Sequence, residues 1–118
     1  MNYDDMTNFE LSVEIIKNKH PDKDFSVYDF IKPVSSESDS LAVARRKKPV
    51  VIFTCFDVSC IKDMWPIICE ERIDIRFDWD NLGTVTATVC GHANYDAEDE
   101  DPLRAAAICY LEFKEGEE

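Results

Sequence analysis

Ile73-Asp74-Ile75-Arg76-Phe77-Asp78-Trp79-Asp80, followed by Asn81-Leu82-Gly83 and Thr84-Val85-Thr86-Ala87-Thr88-Val89, decides the fold class of this chain. Ile73, Ile75, Phe77 and Trp79 alternate with charged residues without a break. A strand sends successive side chains to opposite faces, so this alternation buries one face and wets the other. Val85, Ala87 and Val89 alternate with threonines in the same way, and Asn81-Leu82-Gly83 supplies the turn. The two runs predict an antiparallel hairpin. Trp79 belongs to its core face, and Asp74, Arg76, Asp78 and Asp80 to its solvated face.

The segments around the hairpin add helices. Thr7-Asn8-Phe9-Glu10 matches a capping box, with Thr7 as N-cap and Glu10 three residues on. The helix behind it should run to about His20 and stop at Pro21, with Phe9, Val13 and Ile16 as its apolar stripe. Phe25–Ile31 reads as a short strand. Residues 32–48 hold Pro33, a polar run and four consecutive cations, which predicts a mobile loop. Val50–Phe53 is a β-branched strand. Asp57 or Ser59 can cap a short helix through Trp65 to Glu70, kinked or delayed by Pro66, with Trp65 in the core. Beyond Gly91, residues 96–101 form an acidic loop. Asp101 as N-cap and Pro102 at the first helical position open a last helix, which buries Leu103, Ala107, Tyr110 and Leu111. The expectation is one α+β domain over residues 1–118, a small antiparallel sheet with two or three helices packed on one face.

Composition narrows the partners. Of 118 residues 45% are hydrophobic, enough for a folded core. Thirteen Lys and Arg stand against 25 Asp and Glu, a net charge of -12. Such a chain repels phosphate backbones at long range and favours basic protein surfaces or cations. The five cysteines are odd in number and lie mostly in apolar stretches, as reduced thiols do. No apolar run approaches the roughly 18–20 residues that span a bilayer. The acidic start Met1-Asn2-Tyr3-Asp4-Asp5 is unlike a secretory signal. These features predict a cytoplasmic protein with no membrane partner.

Three blocks carry a family resemblance. They are Tyr3 with Asn8-Phe9-Glu10; Phe56-Asp57 with Asp63, Trp65, Pro66, Ile67 and Ile68; and Asp101-Pro102-Leu103-Arg104-Ala105-Ala106. Together the chain resembles the NinX-like proteins of lambdoid and related phages, small accessory proteins of unsettled role. Asp101 stands where the family has Asn, and Val58-Ser59-Cys60-Ile61 replaces its usual Pro-Cys and Asn pair. The resemblance implies a phage- or prophage-encoded protein of the host cytoplasm and no enzyme.

The chemistry-bearing residues suggest no reaction. Cys90-Gly91-His92 offers two ligands where zinc takes three or four, and Cys55 and Cys60 lack the paired spacing. No Cys has an activating neighbour, and the chain's three glycines build no oxyanion loop. The acidic run lacks the spacing and central Gly of an EF-hand. Catalytic residues, metal ligands and cofactors are therefore left unassigned. The leading expectation is protein–protein binding by a monomer or homodimer. Asp78, Asp80, Glu98, Asp99, Glu100 and Asp101 would form an acidic face that imitates phosphates and occludes a host nucleic-acid enzyme or defence complex. The alternative is a small nucleic-acid-binding protein using Arg45, Arg46, Lys47 and Lys48. The same four cations can instead grip an acidic partner or fold back on the chain's own carboxylates.

Overall fold

The computed structural model describes residues 3–33, 38–76, 85–89, 92–99 and 101–116. Among these residues it is an α+β fold of two three-stranded antiparallel sheets and three α-helices. The first sheet is β1 (Tyr28–Ile31), β2 (Leu41–Arg46) and β3 (Val51–Asp57), in that order. The second is β4 (Ile73–Arg76), β5 (Val85–Val89) and β6 (His92–Asp99), also in order. Helix α1 (Asn8–Lys19) packs on β2 and β3, and α3 (Pro102–Gly116) packs on all three strands of the second sheet. Helices α1 and α3 touch each other, and α2 (Ile61–Glu70) leans on α3 and β4. The expected α+β class holds, with antiparallel strands and packed helices; the strands divide between two sheets that the helices join.

The hairpin signal holds. Ile73 pairs with Val89, Ile75 with Ala87 and Arg76 with Thr86. Ile73 is buried and Asp74 exposed, as the period of two requires. Phe77, Asp78, Trp79, Asp80 and the turn lie outside the described residues.

Two predicted loops are strands. Leu41–Arg46, inside the expected mobile loop 32–48, is the central strand of the first sheet. Ala42 and Ala44 are fully buried there, because only small side chains fit beneath α1. The cations after Ala44 and the Pro and Ser residues before Leu41 mask that short apolar alternation. Likewise Asp96–Asp99 continues β6, with Ala97 buried at its centre. The strand predicted from Phe25 begins at Tyr28. A 3-10 turn over Phe25–Val27 precedes it, capped by the Asp24 carboxylate, which accepts from Ser26 N–H at 3.0 Å.

The capping box at Thr7 is present in both directions. Glu10 N–H donates to the Thr7 hydroxyl at 3.1 Å, and Thr7 N–H to the Glu10 carboxylate at 3.0 Å. The bond from the Thr7 backbone holds the Glu10 carboxyl below its usual pKa. His20 ends α1, as expected. The buried stripe is Leu11, Ser12, Ile15 and Ile16, with Phe9 and Val13 packed at its margin. Helix α3 is buried at every position from Ala105 to Leu111, which makes it the central core element. Helices apolar on all sides occupy such positions.

Candidate functional site

Several of the residues singled out in the sequence are engaged in holding the fold. Asp101 accepts from Leu103 N–H at 2.9 Å as the expected cap of α3. Asp99 accepts from Arg104 Nε at 3.0 Å and from Asp101 N–H at 3.0 Å. Arg104 also donates to the Asn8 side chain at 2.7 Å and to the carbonyls of Asp4 and Met6 at 3.0 and 2.8 Å. One guanidinium therefore fastens β6, α3, α1 and the N-terminal turn. Its fork suits several acceptors at fixed angles. Two members of the predicted acidic face are thereby consumed internally. Asp78, Asp80, Glu100 and the Glu98 side chain lie outside the described residues.

The central block is a second clasp. Asp57 Oδ1 accepts from Ser59 N–H at 2.9 Å and from the Ser59 hydroxyl at 2.6 Å. Asp57 N–H donates to the Asp63 carboxylate at 2.9 Å, across the start of α2. The α2 N-cap itself is Cys60, which makes no side-chain cap bond. Ser12 locks the clasp to α1. Its buried hydroxyl donates to the Ser40 carbonyl at 2.7 Å and accepts from Val58 N–H at 3.1 Å.

Helix α2 buries Met64, Ile67 and Ile68, spaced to share one face. That spacing turns Ile61, Trp65, Pro66 and Cys69 outward, and all four are exposed. Trp65 is 57% exposed, a correction to its predicted place in the core. Its apolar neighbours Ile67 and Ile68 suggested burial, but the helical period puts them on the other side. Trp65 and Ile61 stand one turn apart on the surface. Pro66 sits inside the helix, where it removes one backbone donor.

The four cations separate by role. Arg45 and Lys47 both reach the Asp29 carboxylate, at 3.5 and 3.6 Å. Arg46, the last residue of β2, and Lys48, in the β2–β3 turn, are exposed and form no ion pair among the described residues. Among the described residues no group of three His, Cys, Asp or Glu side chains is placed to hold a metal. No helix among them is long and apolar enough to cross a membrane.

No family model, no curated protein and no solved structure matches this chain.

Proposed function

We propose that the protein acts by binding another protein, with the outer face of α2 as its anchor. The observation that carries this reading is Trp65, exposed beside Ile61 on the outer face of α2. Exposed Trp residues flanked by apolar neighbours are typical anchors of protein interfaces. Pro66 lies on the same outward face, inside the helix, where it removes a backbone donor and adds apolar surface beside Trp65. Within the blocks that carry the NinX-like resemblance, Asp57, Asp63, Ile67, Ile68, Asp101 and Arg104 each have a folding role. Trp65 and Pro66 are instead exposed on the outer face of α2.

The chain's charge of -12 selects a basic target. A host nucleic-acid enzyme or defence complex fits that requirement, and a phage or prophage accessory protein fits the resemblance. The acidic charge then steers the encounter, and α2 supplies the contact that persists. Capture on the tagged protein from a bacterial extract, across a salt series, tests the proposal. The expected result is a stoichiometric protein with a basic surface, whose recovery falls as salt screens the charge. Recovery of nucleic acid alone, or of no partner, contradicts it.

A further inference from the structure

The β2–β3 tip differs in chemistry from the rest of the molecule. Residues 15–56 hold eight of the thirteen Lys and Arg and five of the 25 Asp and Glu, so this region is net positive in a chain of charge -12. At its end Val50 and Ile52 are 68% and 67% exposed, with Val51 and Val27 exposed beside them. Ser26, Val27, Arg46, Lys47 and Lys48 line a groove of about 290 Å³ at the tip. Strand β3 ends the first sheet among the described residues. Among those residues its backbone from Val51 to Phe56 has no bonding partner other than β2. A strand edge of this kind accepts a further strand.

We propose that β3 and the adjoining tip receive an extended acidic and apolar segment of a partner protein, added as a fourth strand. The exposed Val51 and Ile52 would pack its apolar side chains, and Arg46 and Lys48 would meet its carboxylates. Nucleic acid suits the tip less well. Its exposed side chains are aliphatic and offer no ring for base stacking. The rings behind them are occupied: Phe53 packs on His20 at 4.7 Å and on Tyr28 at 5.7 Å, under the Lys23 ammonium at 5.2 Å. This surface is separate from α2, so its failure leaves the proposal for α2 standing.

The test uses the full chain labelled for amide NMR and a capped peptide of alternating Glu and Val. Amide shifts should appear at Arg46, Lys48 and Val51–Thr54 and leave Ile61–Glu70 unmoved. Arg46→Glu with Lys48→Glu should weaken the peptide roughly tenfold, since two attractions become two repulsions. A peptide N-methylated at alternate residues should not bind, because strand addition needs its N–H groups. The proposal is overturned if the Glu-Val peptide does not bind, or if a Lys-Val peptide moves the same amides equally. Undiminished binding of the N-methylated peptide also overturns it. So does a thymidine oligonucleotide or a phosphatidylserine vesicle that moves the tip amides where the peptide does not.

Discussion

At the residue scale, Arg104 is the clearest fastener. Its side chain is 16% exposed and serves a carboxylate, an amide and two backbone carbonyls. Arg104→Ala should lower stability by about 2–4 kcal/mol, because it strands Asp99 and several acceptors together. Arg104→Lys should recover little of that loss, since an ammonium cannot span the fork. Denaturant melts of both variants check this. Tyr3 makes a pH prediction. Burial pushes its phenol up to about 12, helped by its hydrogen bond to Glu115 and the nearby Glu14 and Glu112. The unfolded chain releases that proton near pH ~10 while the folded chain retains it. The contribution is therefore intact below about pH 10 and lost as pH rises through about 12. Denaturant melts from about pH 9 to about pH 12 should show the stability advantage of wild type over Tyr3→Phe shrinking, and a constant difference contradicts this. The cap at Asp101 and Pro102 was legible in the sequence because capping is local. The role of Arg104 was not, because its acceptors Asp4, Met6 and Asn8 lie at the far end of the chain and two of them are backbone carbonyls.

At the scale of elements, local pattern succeeded where it was unbroken. The capping box fixed the start of α1, and the period of two fixed β4 and β5. It failed where charge and small residues interrupted it. Strand β2 carries Ala42 and Ala44 inward and Arg45 outward, so its buried face has little hydrophobic signal. Strand β6 is acidic along Asp96–Asp99, a composition that predicts a loop, yet pairing with β5 and cover from α3 keep it extended. In helix α2 the apolar composition around Trp65 predicts burial, and the helical period places Trp65 on the opposite side from Met64, Ile67 and Ile68. Its proline offers a test. Pro66→Ala should restore the missing backbone bond at an exposed site and raise stability by about 1–3 kcal/mol, read as a higher Tm. An unchanged or lowered Tm would show that the helix already accommodates Pro66 without loss.

On the scale of the whole molecule, charge and apolar exposure are unevenly placed. The chain beyond the first sheet is strongly acidic, and the β2–β3 tip is cationic. Among the described residues the exposed large apolar side chains fall into two groups, Ile61 and Trp65 on α2 and Val27, Val50, Val51 and Ile52 at the tip. The expected acidic face was only partly legible, since sequence shows that a carboxylate is present and not whether a neighbour holds it. Asp99 and Asp101 are held by neighbours, and the proposed anchor is therefore α2, with long-range attraction as the role proposed for the acids. Trp65→Ala should leave stability within about 0.5 kcal/mol, as for other exposed positions away from structural features. The most direct measurement is then the affinity of the captured, purified partner for wild type and for Trp65→Ala, with Tm measured on both. The account predicts binding weaker by roughly 30-fold, a loss of about 2 kcal/mol, at unchanged Tm. Equal affinity for the two proteins would contradict it.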